Sequence, residues 1–287
     1  MKQRVRDYLQ LIKLNLSLLV LASCLVGYII VPEVEVSVMK LVWLFAGGLL
    51  VTGAANASNQ LLERDSDAMM KRTKDRPLPD ARISHIEAIL FIVIALTAGC
   101  YILFKQFNFL SASLALLSYA LYTFAYTPLK KVSAVAVLVG AIPGSLPCLI
   151  GWAAGTNHIW SLAGWTLFLL QFFWQFPHFW AIAWLSHEEY QKAGMNLLPR
   201  GEKLGPYTAM QCFTYSAVLV PMGLLPAVVG LGGWISSVGC ILAALWMCYN
   251  SYMFIKEHTD ARARKVMFAS FVYLPVVLLV LVLDKYL

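Results

Sequence analysis

Oxygen-bearing side chains recur at a fixed spacing in the stretch 56–82. Asn59, Glu63 and Asp67 follow one another every four residues, and on an α-helix this spacing places all three on one face. Asp65 projects from a different face. Amide and carboxylate oxygens are the ligands that Mg²⁺ prefers in proteins. The pattern therefore predicts part of a metal site, and it begins inside an apolar run.

Basic side chains follow these oxygen ligands directly, at Lys71, Arg72, Lys74 and Arg76. Guanidinium and ammonium groups pair with phosphate oxygens, so a metal site followed by cations suits a magnesium-bound phosphate or diphosphate. The alternative is a solvated loop whose positive charge only orients a membrane protein. The basic residues alone would fit that alternative, but the oxygen ligands that begin inside an apolar run fit it poorly.

A second polar stripe lies in the stretch 165–190. Gln171, Gln175 and His178 stand at i, i+4 and i+7, and a helix continued in this register reaches Glu189 on the same face. Because polar groups are costly in lipid, the stripe is expected to face a cavity. Interhelical hydrogen bonding is the alternative use of Gln and His. Both interpretations stay open for Gln171, whereas a functional role is favoured for His178 and Glu189.

The elements that carry these side chains are membrane-spanning helices. Of the 287 residues, 60% are hydrophobic and only 13% are charged, about half the charged fraction of a soluble domain. The apolar blocks are each long enough to cross a bilayer. They predict an all-α, polytopic membrane protein with about nine transmembrane helices. The predicted spans are 14–31, 40–60, 85–104, 109–127, 133–152, 160–185, 208–230, 234–255 and 266–283.

The basic residues predict the orientation of these spans. Nineteen of the 22 Lys and Arg residues lie on alternate connections, which places the N-terminus in the cytoplasm and the C-terminus outside. The net charge of +7 is therefore mostly topological, and no basic and aromatic patch suggests nucleic-acid binding. Twelve of the 15 acidic residues lie on or near the same side. The predicted site is thus at the cytoplasmic face.

The face that carries Glu63 and Asp67 lies at the cytoplasmic end of span two, and the face that carries Glu189 lies at that of span six. These spans are four apart in the sequence. This spacing predicts two pseudo-equivalent four-helix halves plus one further helix, arranged around a central cavity.

The segment NQLLERDSD resembles the first aspartate-rich motif of the UbiA superfamily of intramembrane prenyltransferases. The segments MKRTKDRPLP, YTPLKK, WQFPHFWAIAW and EEYQKAGMNLLP resemble, in order and spacing, the heme O synthase (protoheme IX farnesyltransferase) branch of that superfamily. The sequence departs from the expected patterns at four positions, Gln60, Glu63, Glu189 and Ala193, the last standing where the second superfamily motif has its second Asp. Gln60 and Glu63 stand where Asp is frequent, and Glu189 stands where that branch usually has Asp.

The resemblance implies a single integral-membrane prenyltransferase domain over 1–287, in the cell (inner) membrane. It implies transfer of the farnesyl group of farnesyl diphosphate to a vinyl group of heme B, with addition of water and release of diphosphate, giving heme O. Mg²⁺ is the implied cofactor. The implied partners are farnesyl diphosphate, heme B and the lipid bilayer, with a heme A synthase as a candidate protein partner.

The resemblance also assigns roles to residues. The expected metal ligands, which act in catalysis, are Asn59, Glu63, Asp67 and Glu189. The expected diphosphate-binding residues are Arg72, Arg76, Tyr126, Lys130 and Lys131. The residues expected to line a heme or prenyl pocket are Trp174, Gln175, His178 and Tyr190. Whether His178 contacts the heme, orients a metal ligand or binds the prenyl substrate stays open.

Two other functions compete with this interpretation. A UbiA-type enzyme that prenylates an aromatic quinone precursor would have the same metal site, and only its acceptor would differ. A cation-coupled transporter would carry charged residues at mid-membrane depth. The predicted spans contain almost none there.

Overall fold

Helices form the regular structure of the chain. The structure is a computed structural model that describes residues 2–32, 34–199 and 206–287, so the connection predicted at 186–207 lies partly outside the described residues. The first helices are α1 (Lys2–Leu11), α2 (Leu14–Ile29), α3 (Val38–Leu62), α4 (Arg64–Ala68), α5 (His85–Gln106), α6 (Phe109–Ala120), a π-helix (Leu121–Tyr126) and α7 (Thr127–Leu129). The later helices are α8 (Ala136–Thr156), α9 (Leu162–Leu185), α10 (His187–Lys192), α11 (Tyr207–Met222), α12 (Leu225–Val228), α13 (Trp234–Glu257) and α14 (Asp260–Tyr286).

The number of membrane-length helices agrees approximately with the predicted nine spans. Among the described residues, seven helical segments are long and apolar enough to cross a membrane, and an eighth results if α1 and α2 are counted together. The predicted span 160–185 corresponds to α9, which has 24 residues. Its glutamines, histidine and tryptophans lower its mean hydropathy. The all-α, multi-pass membrane class is confirmed.

The first predicted span begins after a break in the helix. α1 and α2 are inclined at 52° to one another. Lys13, between them, has φ 49° and ψ 57°, which is the left-handed region. α1 is polar on average and α2 is apolar, so we place α1 at the membrane surface and α2 across the membrane. The break leaves Lys13 at the boundary between them.

The most deeply buried helix is α8. Its residues join core clusters that draw on α2, α3, α5 and α6 on one side and on α9, α13 and α14 on the other. α2 and α8 meet at backbone distance, because a Cβ on Gly151 would lie 1.9 Å from the Cys24 carbonyl oxygen. Between α8, α9 and α14 there is a void of about 10 Å³. The pseudo-equivalence of the two halves and a cavity that holds substrate stay predictions.

Two of the three basic residues predicted to lie away from the cytoplasm bind carbonyls at helix ends. Lys40, at the start of α3, donates to the carbonyl of Gln106 at the end of α5. Lys285, near the end of α14, donates to the carbonyls of Ile29 and Val31 at 2.6 and 2.7 Å. The helix ends opposite the candidate site are therefore tied together by ammonium groups.

Candidate active site

The predicted oxygen ligands lie where α3 gives way to α4. Asn59 is in the last turn of α3, Glu63 is at the break between the helices, and Asp67 is in α4. All three side chains are buried, with exposed fractions of 1%, 5% and 1%. Asp65, in contrast, has 84% of its side chain exposed and pairs with Arg64. The bend at Glu63 thus keeps three ligands inside and leaves Asp65 in solvent.

Each buried carboxylate is paired with a cation from a different segment. Arg76 Nη1 lies 2.6 Å from Asp67 Oδ2, and Lys130 Nζ lies 2.8 Å from Glu63 Oε1. The loop that carries Arg76 folds back because the Thr73 hydroxyl donates to the Asp67 carbonyl at 2.8 Å. The loop after α4 and the end of α7 therefore meet at one cluster of alternating charge.

The donor set suits a hard divalent cation. Asp67 Oδ1 is buried and accepts no hydrogen bond from the described residues, and Lys130 is the one described cation paired with Glu63 Oε1. No group of three His, Cys, Asp or Glu side chains forms a complete metal site within the described residues. Amide and carboxylate oxygens that supply part of a coordination shell fit Mg²⁺, which usually takes further oxygens from water and from substrate phosphates.

The surroundings shift the pKa values of the charged groups. Burial raises the pKa of the Asp67 carboxyl, and the Arg76 guanidinium opposes this shift without cancelling it. Burial alone would lower the pKa of Lys130, but the Glu63 carboxylate outweighs it, so the pKa of Lys130 is raised. Lys130 is therefore held as a cation. A further positive charge beside Asp67 would stabilise its carboxylate form and lower its pKa.

The π-helix sets the register of the segment that carries Lys130. Such wide turns are often found at functional sites. The Thr127 hydroxyl donates to the Tyr122 carbonyl at 2.9 Å, and Asn59 Nδ2 donates to the Thr127 hydroxyl oxygen at 3.2 Å. Tyr126 places its ring 4.6 Å from Lys130 Nζ. Thr127, which the sequence patterns did not single out, thus connects Asn59 to the Tyr126–Lys130 segment.

Helix α10 and the residues after it supply a third segment to the cluster. Arg72 Nη2 donates to the Tyr190 hydroxyl at 3.2 Å, and the guanidinium lies 5.7 Å from the centre of the Tyr190 ring. Burial would lower the pKa of Arg72, but Tyr190 and the charge of Glu189 outweigh it and raise the pKa. Asn196 donates its backbone N–H to the Lys130 carbonyl at 3.0 Å. Arg72 and Lys130 thus each contact α10 or the residues just after it, and the convergence of Glu189 with the other predicted ligands stays a prediction.

Two features lie outside the cluster. Lys131 is exposed, whereas Lys130 beside it is buried, so only one of the two predicted lysines joins the charged group in this structure. A cavity of about 450 Å³ opens next to Arg64, Leu78 and His85, and none of the predicted site residues lines it. The cluster itself, and not this surface cavity, holds the chemistry-bearing side chains.

The residues expected in the heme or prenyl pocket lie between α9 and its neighbours. Trp174 donates to the Ser270 carbonyl at 2.6 Å and stacks on His178 with ring centres 5.0 Å apart. His178 Nδ1 lies 2.9 Å from the Ser270 hydroxyl of α14. Gln175 instead donates to the Ala141 carbonyl of α8 at 3.2 Å. Its amide therefore binds helix to helix, and a pocket role for these residues stays a prediction.

The structure adds one cation that the sequence patterns missed. Lys13 Nζ donates to Asn59 Oδ1 at 2.7 Å and so enters the cluster from the break between α1 and α2. In the sequence, Lys13 is one of four basic residues before the first span, and the positive-inside pattern accounts for all four equally. Lys13 has a left-handed backbone at the break between the helices, and its side chain reaches α3 from there.

Comparisons with known proteins agree on one family. Residues 20–272 match the sequence profile of the UbiA prenyltransferase family. The protoheme IX farnesyltransferase of Cytophaga hutchinsonii is 41% identical over 99% of both chains. That of Flavobacterium psychrophilum is 39% identical over 100% of this chain and 96% of its own length.

Solved structures show the same fold at lower identity. A digeranylgeranylglyceryl phosphate synthase superposes with a TM-score of 0.81 at 20% identity, over 99% of both chains. A UbiA homologue from Archaeoglobus fulgidus, described as bound to DMAPP and Mg²⁺, superposes with a TM-score of 0.70 at 17% identity. That match covers 96% of this chain and 99% of the homologue.

Proposed function

The chain belongs to the UbiA prenyltransferase family, and we infer that it transfers the farnesyl group of farnesyl diphosphate to a vinyl group of heme B. Water is added, diphosphate leaves, and the product is heme O. Relatives that carry the name protoheme IX farnesyltransferase are 34–41% identical to nearly the whole chain. This close likeness along the full length supports the acceptor as well as the prenyl donor.

The observation that carries the mechanism is the pairing of buried carboxylates with buried cations. Asp67 with Arg76 and Glu63 with Lys130 form two ion pairs, in each of which the charges cancel before substrate arrives. We propose that an incoming diphosphate draws Arg76 and Lys130 away from the carboxylates, because phosphate oxygens carry more charge. The carboxylates are then left to bind a divalent cation.

Mg²⁺ is the cation that this donor set would hold. Asn59, Glu63, Asp67 and Glu189 are the proposed ligands, together with diphosphate oxygens. Once bound, Mg²⁺ would neutralise the charge that develops on the leaving diphosphate. The A. fulgidus homologue, described with DMAPP and Mg²⁺, supports this cofactor for the family fold.

The protein's own cations complete the diphosphate site in this proposal. Arg72, Arg76 and Lys130 donate to phosphate oxygens, and the Tyr126 hydroxyl donates a further hydrogen bond. Lys131, which is exposed, stays a proposed ligand of the diphosphate at the solvent side of the site. The carboxylates hold Arg76 and Lys130 at the site until the diphosphate replaces them as partner, so the positive charge that would stabilise the leaving group is in place before substrate binds.

The acceptor is proposed to bind deeper, against α9 and α14. Trp174 and His178 stack on one another there, and Gln175 and Tyr190 stay proposed members of the same pocket. The aromatic faces on α9 would also stabilise positive charge on the allylic group as the diphosphate leaves. A single prenyltransferase domain over 1–287 would thus bind both substrates.

The proposal includes a location. The site would lie at the cytoplasmic face of the inner membrane, with the N-terminus in the cytoplasm and the C-terminus outside. A heme A synthase is the proposed protein partner, because that class of enzyme consumes heme O.

One assay tests the proposed function against its nearest alternative. Purified protein is given farnesyl diphosphate and Mg²⁺ with heme B and an aromatic carboxylic acid together, and the products are separated by mass. The proposal predicts farnesylated heme alone. Prenylation of the aromatic acid instead of heme would assign the chain to the quinone branch, and no consumption of farnesyl diphosphate would favour a transporter.

A further inference from the structure

Three consecutive backbone carbonyls at the end of α1 are bound by side chains of α3. Gln60 Nε2 donates to the carbonyls of Gln10 and Leu11 at 3.0 and 2.8 Å. Asn56 Nδ2 donates to the carbonyl of Ile12 at 3.1 Å. Carbonyls at a helix C-terminus lack partners within the helix. Asn56 and Gln60 are one turn apart and so lie on one face of α3. This face supplies the donors for the carbonyls at the C-terminus of α1.

The residue that follows these carbonyls is Lys13. Its left-handed backbone, with φ 49°, is strained for a residue with a side chain, and such a conformation persists only where its surroundings hold it. Its ammonium then donates to Asn59 at 2.7 Å. Asn59 lies between Asn56 and Gln60 in the same turn of α3. One turn thus fixes both the backbone and the side chain of Lys13.

Ile12 also packs tightly against α3. A Cβ on Gly53 would lie 3.1 Å from the Ile12 side chain, so α3 and the break are in close contact here. The Ser17 hydroxyl adds a second bond to the Ile12 carbonyl at 2.7 Å and receives one from Asn56 at 3.1 Å. With Asn56 3% exposed and Gln60 0% exposed, water has little access to replace these bonds.

We propose that Asn56 and Gln60 are positioning residues for the transfer reaction. By ending α1 they hold Lys13 in the site, where its ammonium binds the diphosphate of the prenyl substrate. Asn59 accepts the ammonium before the substrate arrives. The inference rests on the proposed function for the identity of the ligand, but the contacts that carry it lie in the protein alone.

The proposal makes the effect of Gln60 depend on Lys13. If Gln60 acts through Lys13, removal of both cannot cost more than removal of Lys13 alone. If Gln60 only stabilises the fold, its loss and the loss of Lys13 are independent and their effects multiply. A double-mutant cycle on substrate affinity separates these two cases.

The measurement is the affinity for farnesyl thiodiphosphate, an unreactive analogue, by calorimetry on the full chain in lipid nanodiscs with Mg²⁺. Lys13→Met should weaken binding about tenfold to a hundredfold, the usual effect of losing a hydrogen bond from a charged group. Gln60→Met, which keeps the length of the side chain and removes its donors, should weaken binding by up to the same factor. The double variant should bind no more weakly than Lys13→Met.

Asn108→Asp is the matched control. Asn108 Nδ2 donates to the Ala153 carbonyl at 2.8 Å, at the N-terminus of α6. The substitution removes a side-chain hydrogen bond to a backbone carbonyl, as Gln60→Met does, but far from Lys13. It keeps the side-chain oxygen that caps α6. Analogue binding should be unchanged. If Gln60→Met does not yield folded protein, Asn56→Leu, which removes the bond to Ile12, takes its place in the cycle.

Wild-type affinity for the analogue in Gln60→Met would overturn the inference. So would a double variant whose loss of affinity equals the product of the two single losses. An unchanged affinity in Lys13→Met would overturn it as well. A chain that binds the analogue with the predicted cycle but makes no farnesylated heme would contradict the proposed function and leave the positioning role intact.

Discussion

Asp67→Asn separates the catalytic role of this carboxylate from its structural role. Asp67 is 1% exposed, and its Oδ2 atom lies 2.6 Å from Arg76 Nη1. Asparagine has nearly the same shape and keeps an oxygen that accepts from Arg76. It removes the negative charge that a metal ion requires. The substitution is therefore a change of charge with little change in packing.

The two roles predict effects of different size. A neutral acceptor in place of a carboxylate weakens the bond to Arg76, and we expect a loss of about 1–2 kcal/mol in the free energy of unfolding. Groups that stabilise charge in the transition state are each typically responsible for about 3–4 kcal/mol. The value of kcat/KM for heme O formation should therefore fall about a hundredfold to a thousandfold, well beyond any loss of folded protein.

The assay compares initial rates of heme O formation and the thermal unfolding midpoint in the same preparation. Asp65→Asn is the control, because Asp65 is two residues away with 84% of its side chain exposed. It should keep the wild-type rate. Asp67→Asn with a wild-type rate and a wild-type requirement for Mg²⁺ would refute a role for Asp67 in metal binding.

Further predictions concern the cations, the metal and the acceptor. Lys130→Met should lower kcat/KM at least tenfold more than Lys131→Met, because only the ammonium of Lys130 is buried in the cluster, and steady-state rates on farnesyl diphosphate measure the difference. Because burial raises the pKa of Asp67, protons compete with Mg²⁺ there at a higher pH than at an exposed carboxylate. The Mg²⁺ concentration for half-maximal rate should therefore rise as pH falls, and less steeply in Asp67→Asn. His178→Ala should raise KM for heme B and leave KM for farnesyl diphosphate unchanged, which titration of each substrate checks.

The sequence predicted the class of fold because lipid imposes strong rules on composition. Apolar blocks, the alternation of basic connections and the spacing of Asn59, Glu63 and Asp67 are all local patterns. The structure confirms the helical, multi-pass architecture. Arg72, in the loop after α4, contacts Tyr190 of α10, whereas the convergence of Glu189 with Asn59, Glu63 and Asp67 stays a prediction.

The remaining features depend on contacts between distant segments. The position of Lys13 requires a left-handed residue, which no propensity of lysine indicates. The role of Thr127 follows from a π-helix, and hydrophobic periodicity does not distinguish one from an α-helix. Gln175 and His178 share a face in sequence, yet one binds α8 and the other contacts α14. Spacing alone could not assign these partners.

The most direct test of the central claim is the mass of the product formed from heme B, farnesyl diphosphate and Mg²⁺ in ¹⁸O-labelled water. The account predicts a single new heme that has gained one farnesyl group and one labelled oxygen, with release of one diphosphate. Consumption of farnesyl diphosphate to labelled farnesol, with heme B unchanged, would contradict it.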